Sequence, residues 1–172
     1  PIDGTKNFVR GIPVYGTLLA LQRDGEVVVG VASAPALGRR WWAVRGEGAF
    51  VDGTAIRVSS VGRLTDAQLC FGGLNAWRSA GRLDAFLDLA ARCKRTRGFG
   101  DFWMHMLVAE GAADVAVEPD VSLWDLAAVQ VIVEEAGGRF TNLEGERRPD
   151  GGSALSTNGA LHRQVLESLA AP

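Results

Sequence analysis

The amino-acid sequence predicts an α/β fold, in which an antiparallel meander is followed by a mixed α/β sheet layer. Two observations carry this expectation. Up to about residue 60, apolar β-branched runs are separated only by short turns. From Leu64 onward, short apolar runs alternate with stretches of helical periodicity, the pattern of a layered sheet containing parallel pairs.

The elements follow in order. Residues 14–21 are an apolar strand ended by Arg23-Asp24-Gly25, a hairpin turn. Residues 26–32 return as a continuous β-branched run, expected to be buried on both faces. Residues 39–44 form the third strand, stopped at Gly46-Glu47-Gly48, and residues 50–58, with Asp52-Gly53 inside, form a short further hairpin. After a short apolar segment at 68–72, a helix is expected over 81–93, with apolar residues at 83, 86, 87, 89 and 90 on one face. Arg92, Lys94, Arg95 and Arg97 surround the next short strand. A helix over 101–111 and a strand over 113–118 come next. The helix over 123–136 is closed by Gly137-Gly138. Short strands at 139–142 and 153–156 precede a last helix over 158–170.

Composition narrows the function classes. Hydrophobic residues make up 47% and charged residues 22%, with 18 basic against 20 acidic side chains, a net charge of -2. A disordered chain would be less apolar. A nucleic-acid binder would normally carry a basic excess. No apolar run reaches the roughly 20 residues that span a bilayer, and no signal peptide opens the sequence. Two cysteines, Cys70 and Cys93, are too few for a disulfide scaffold and read as buried thiols of a reducing compartment. The expectation is a soluble, cytoplasmic domain without nucleic-acid or membrane partners. The chain opens without Met, and Asp3-Gly4-Thr5 sits where termini usually fray. It therefore reads as the C-terminal portion of a longer protein.

Several residues could carry chemistry. Asp3-Gly4-Thr5 is either a turn with Thr5 capping a helix, or a metal-binding carboxylate beside N–H groups that cradle an anion. Asp125 is either a helix cap or a ligand for a hard cation held at a rigid helix end. Glu118, Asp120 and Asp125 form an acidic cluster at a strand end, where ligands of layered sheets bind. Asp101 lies between Gly100 and Phe102-Trp103 in an apolar stretch, where a charge needs a partner. His105 and His162 show no matched partner for triad or zinc chemistry, and Arg39-Arg40-Trp41-Trp42 reads as core or interface.

Together these signals resemble a known family. Pro1-Ile2-Asp3-Gly4-Thr5-x-Asn7-Phe8 resembles the first signature of the inositol monophosphatase superfamily, and Trp124-Asp125-Leu126-Ala127-Ala128 through Gly137-Gly138 resembles its second. The segment from Gly30 to Gly53, and Ser156-Thr157-Asn158-Gly159, are similar to the family as well. Within it, residues 34–42 and Gly98-x-Gly100-Asp101-Phe102-Trp103 look most like bacterial histidinol-phosphate phosphatases. The resemblance implies the C-terminal portion of a layered αβαβα fold. Residues 1–60 would complete the first layer of antiparallel strands, and residues 61–172 would form the layer holding the second signature.

The resemblance also implies a Mg²⁺-dependent phosphomonoester hydrolase acting on L-histidinol phosphate, as a homodimer. Ile2 (through its carbonyl), Asp3 and Asp125 would bind metal, with Asp3 and Thr5 catalytic and Thr5 orienting the attacking water. Gly4 and Thr5 would hold phosphate, and Asp101, Glu118 and Asp125 would bind substrate. An inositol or broader sugar phosphatase, and a non-catalytic phosphate-binding fragment, are the competing readings. The family's leading Asp before Pro1 and an upstream metal-binding Glu fall outside this numbering, so only part of the metal site lies in the chain.

Overall fold

A computed structural model describes residues 2–170; Pro1, the first residue of the Asp-Gly-Thr signature, lies outside them. The meander is present as five strands, β1 (Thr17–Arg23), β2 (Glu26–Ala34), β3 (Arg39–Val44), β4 (Gly48–Val51) and β5 (Thr54–Ile56), paired antiparallel in that order. The first hairpin turns at Asp24 and Gly25, both with positive φ, as a two-residue loop requires. β1 begins at Thr17 rather than residue 14. The preceding residues instead follow a bridge between Asp3 and Gly16. β2 is not buried on both faces throughout, because Val28 and Val29 are only half-buried and full burial falls on alternating positions toward its end.

The second sheet runs in the order β7 (Arg95–Arg97), β6 (Gln68–Phe71), β8 (Val115–Glu118), β10 (Ala154–Thr157), β9 (Arg139–Thr141). β6 is parallel to β7 and β8, while β10 is antiparallel to β8 and β9, so the sheet is mixed. Six helices accompany the sheets among the described residues: α1 (Thr5–Val9), α2 (Leu74–Ser79), α3 (Leu83–Arg92), α4 (Asp101–Ala109), α5 (Leu123–Glu135) and α6 (His162–Leu169). α1 stands where one reading of the Asp3-Gly4-Thr5 turn puts a helix, whereas α2 was not foreseen, since its six residues are too few to show a helical period. The last helix starts at His162 rather than residue 158. Asn158 instead spends its side chain on Ser59, Val61 and Leu161. None of these helices is long and apolar enough to cross a membrane.

The layers run sheet, helix pair, sheet, helices. α4 and α5 lie between the two sheets, where Phe102, Met106, Leu126, Val129 and Ile132 pack with Val27, Ala32, Trp41 and Ala43 of the meander. On the far face of the second sheet, Trp77, Phe86, Leu89, Val165 and Leu169 cover Leu69, Val115, Val117 and Leu155. α5 is buried nearly all round because it touches sheet on both sides, which explains its apolar sequence without a polar face. Gly137 then ends it in a left-handed conformation.

Close approach of α5 to β2 depends on Gly30. A Cβ there would lie 2.5 Å from Val131 Cγ1 and 2.6 Å from the Ala128 carbonyl oxygen. Gly30→Ala should therefore destabilise the fold by about 1–3 kcal/mol through overpacking, read as a lowered urea midpoint. An unchanged midpoint would show that α5 can retreat freely.

His162 generates a pH prediction. It is buried between Thr141 and Thr157, with Nε2 and Nδ1 each 3.0 Å from a threonine Oγ1. Thr141 Oγ1 already donates to the Asn142 carbonyl, so it accepts from Nε2–H; Thr157 then donates to a bare Nδ1. Burial above all, with Arg139 adding to it, lowers the His162 pKa from 6.5 to about 4. The unfolded chain then binds the extra proton, so stability is complete above pH 6.5 and falls as pH drops from 6.5 toward 4. The loss is about 3 kcal/mol by linkage. Replacing His162 with Gln should flatten that part of the stability–pH curve; an identical slope in the two proteins would assign it to other groups.

Candidate active site

Three stretches far apart in sequence meet at one end of the layered structure: the turn at residues 2–7, the start of α4, and the start of α5 beside the end of β8. Asp3 is anchored by paired backbone hydrogen bonds with Gly16, Asp3 N to Gly16 O at 2.8 Å and Gly16 N to Asp3 O at 3.1 Å. Gly4 follows in a left-handed conformation, φ 70°, and a Cβ there would sit 2.6 Å from the Val14 carbonyl oxygen. Only glycine fits that turn. Gly4, not Thr5, takes the N-cap position of α1. Thr5 is the first helical residue, and its hydroxyl donates to the Ile2 carbonyl at 2.7 Å.

α4 is tied to this turn at its first residues. The Phe102 N–H donates to Asp3 Oδ2 at 3.1 Å, so Asp3 satisfies one of the free N–H groups of that helix start. Asp101 is not the N-cap, which is Gly100. It opens the helix with φ 47°, an uncommon conformation for a residue with a side chain, and receives Asn7 Nδ2 at 2.7 Å on Oδ2. Asn7 also donates to the Val14 carbonyl at 2.9 Å. Asn7 is thus the partner that the half-buried Asp101 charge required. The sequence offered it only as a position in the first signature.

Asp125 is the third residue of α5 rather than its cap. It forms a capping box with Ser122, whose N–H donates to Asp125 Oδ2 at 3.2 Å. One oxygen thereby serves the helix, and the carboxylate is held at the helix end. Asp125 lines an open cleft of about 240 Å³ with Ile2, Asp3, Thr5, Leu18 and Trp124. Asp101 flanks the Gly4 turn, and Glu118, at the end of β8, acts electrostatically on both Asp3 and Asp101. Asp3, Asp101, Glu118 and Asp125 are therefore in one region. Asp120, grouped with Glu118 and Asp125 in the sequence, is exposed.

The electrostatics of this region are one-sided. Burial foremost pushes the Asp3 pKa up to about 7; the Phe102 N–H opposes this, and Asp101, Asp125 and Glu118 add to it. Asp101 is also raised, first by burial and then by Glu118 and Asp125, against Lys6 and Asn7. Among the described residues, no three His, Cys, Asp or Glu side chains are arranged to hold a metal ion by themselves. The donors present are nonetheless hard oxygens: the carboxylates of Asp3 and Asp125 on one cleft, which Ile2 also lines. That set, with converging negative charge, fits a Mg²⁺-like cation, which takes one or two carboxylates and fills its shell with water and phosphate oxygens.

His105, for which the sequence offered no partner, has two. Nδ1 lies 2.7 Å from Ser156 Oγ, and Nε2 lies 3.3 Å from Glu118 Oε2. These partners sit on β10 and β8, so only the tertiary fold could disclose them.

The model of the inositol monophosphatase family matches residues 1–171. A histidinol-phosphatase of Mycobacterium tuberculosis is 55% identical over 98% of this chain and 67% of its own length; one from Streptomyces coelicolor is 51% identical over 96% and 66%. The chain thus spans about two thirds of the length of these relatives. Among solved structures, an inositol monophosphatase of Zymomonas mobilis superposes with a TM-score of 0.92 at 28% identity, covering 98% of this chain and 68% of that one. The Thermotoga maritima inositol monophosphatase gives 0.88 at 33% identity, over 98% and 66%. On the family model and on these identities, the chain belongs to the inositol monophosphatase family.

Proposed function

We propose that the protein is a Mg²⁺-dependent phosphomonoester hydrolase that converts L-histidinol phosphate to L-histidinol and phosphate, a step of histidine biosynthesis. The observation that carries this reading is the convergence of Asp3, Asp125 and Ile2 on one cleft, beside the Gly4-Thr5 turn and the carboxylates of Asp101 and Glu118. The identity to proteins named histidinol-phosphatase supports the choice of substrate. The reading includes a cytoplasmic homodimer, as the family resemblance implies.

Asp3, Asp125 and the Ile2 carbonyl would hold the cation. When bound, it would polarise the phosphate, lower the pKa of a coordinated water and stabilise the leaving alkoxide. The rest falls to the chain's own groups. Because the Thr5 proton is committed to the Ile2 carbonyl, the Thr5 oxygen is left as an acceptor, suited to orient a water toward phosphorus. The N–H groups of Gly4 and Thr5, at the start of α1, have no helical acceptor and would donate to phosphate oxygens. Asp101 and Glu118 would take the ammonium end of the substrate, in a region where negative charge already exceeds positive. Inositol phosphate has no group to match that charge.

The test is phosphate release by the complete protein with Mg²⁺, on L-histidinol phosphate, inositol 1-phosphate and phenyl phosphate. Higher kcat/KM on inositol phosphate would favour the polyol phosphatase reading. Asp125→Asn keeps the cap on Ser122 but removes the ligand charge. It should cost several kcal/mol of transition-state stabilisation, about a hundredfold or more in turnover, with little change in melting temperature. Near-normal turnover at moderate Mg²⁺ would leave Asp125 as a capping residue alone.

Asp101→Asn keeps the shape of the side chain while removing its charge. A charge-assisted hydrogen bond is typically worth about 1.5–3 kcal/mol, so kcat/KM on L-histidinol phosphate should fall roughly ten- to a hundredfold more than on phenyl phosphate. Equal losses on the two substrates would mean that Asp101 supports the Asn7 turn and does not read the ammonium.

A further inference from the structure

His105 is fully buried in α4, among Phe102, Met104, Met106 and Val108. A polar ring in such a place needs partners, and it has one on each nitrogen. The carboxylate at Nε2 can only accept. The tautomer with the proton on Nδ1 alone would set a bare nitrogen against Glu118. A proton on Nε2 is therefore required, and Nδ1 is free to accept the Ser156 hydroxyl proton at 2.7 Å. Ser156 has no exposed surface, so this hydroxyl has no access to a substrate and serves to fix the ring.

The other oxygen of Glu118 faces Gly72. A Cβ on Gly72 would lie 3.0 Å from Glu118 Oε1. Glu118 thus has the His105 ring at one oxygen and Gly72, whose missing side chain leaves it room, beside the other. His105 also stands four residues after Asp101 on α4, one turn along the same face. The helix therefore sets the relation between the two carboxylates, carrying Asp101 directly and holding Glu118 through the ring.

We propose that His105 is a positioning residue for substrate selection, which holds the Glu118 carboxylate oriented beside Asp101 for the cationic end of an aminoalkyl phosphate. This rests on the phosphatase reading above. His105 touches neither substrate nor reacting atoms; it acts through Glu118.

The experiment measures kcat/KM of the complete protein with Mg²⁺ on L-histidinol phosphate and on phenyl phosphate, and follows their ratio. His105→Gln should lower the ratio about tenfold, chiefly through KM for L-histidinol phosphate. Glu118→Gln should lower it at least as much, and adding His105→Gln to Glu118→Gln should change it no further. A His105→Gln effect of the same size in both backgrounds, or an equal loss on both substrates, would overturn the proposal. Should His105→Gln fail to fold, Ser156→Ala keeps the ring and should lower the ratio by a smaller factor; an unchanged ratio there counts against it. Nitrogen-15 NMR of the imidazole supplies a readout that does not depend on activity. A proton on Nε2, with a resonance that moves in Glu118→Gln, is the expected result. A proton on Nδ1 alone refutes the clamp, whereas absence of activity on both substrates in the wild-type protein refutes the phosphatase reading instead.

Discussion

The site depends on a bond between residues 99 positions apart, from the Phe102 N–H at the start of α4 to the carboxylate of Asp3. It joins the N-terminal turn to the helix layer, and the Asn7–Asp101 bond closes the same junction from the other side. The junction carries costs. Asp3 is buried enough that its carboxyl is pushed up to about 7, and Asp101 adopts a backbone conformation that side chains rarely take. Strain of this kind persists only where the surroundings over-determine it. Here the surroundings are the Asp3–Gly16 bridge, the Gly4 turn and the buried body of α4.

The second constraint is that α4 and α5 are shared by both sheets. A helix packed on two faces cannot shift toward one sheet without opening a gap at the other. This makes α5 a rigid mount for Asp125, and it explains why β2 carries a glycine at its closest approach to that helix. The same burial makes α4 a rigid mount for Asp101 and His105. Side chains on such mounts need little reorganisation when a charged ligand arrives, which is the structural requirement for electrostatic catalysis.

Much of this was legible in the sequence, for physical reasons that differ by element. The meander could be read because its turns are marked by Asp24-Gly25 and Asp52-Gly53, and its strands by β-branched runs. α5 could be read from its length and its closing glycines. α2 could not, because six residues do not establish a period, and α1 was signalled only by the turn before it. Asp3, Asp101 and Asp125 stood out as acids in turns or apolar surroundings, although taken alone Asp3 was better explained as a turn residue and Asp101 and Asp125 as caps. Asp125 does enter a capping box, so the bland explanation and the functional one share a residue. His105 was opaque. Its partners come from β8 and β10, and nothing in a helix of apolar residues announces which strands will cover it.

The balance of charge ties these pieces to chemistry. Burial first, and then the neighbouring Glu118 and Asp125 carboxylates, raise the protonation tendency of Asp3 and Asp101, and Lys6 opposes this at Asp101. In the folded protein alone that arrangement is unfavourable, since like charges in a partly desolvated region repel. It becomes favourable when cations enter. A divalent ion at Asp3 and Asp125 and an ammonium at Asp101 and Glu118 would divide the four carboxylates into two pairs with separate tasks. The phosphate would then lie between two positive centres that the chain itself does not supply. A substrate with phosphate at one end and an ammonium a few bonds away satisfies both pairs at once, whereas a neutral polyol phosphate satisfies only the first and leaves Asp101 and Glu118 facing each other's charge.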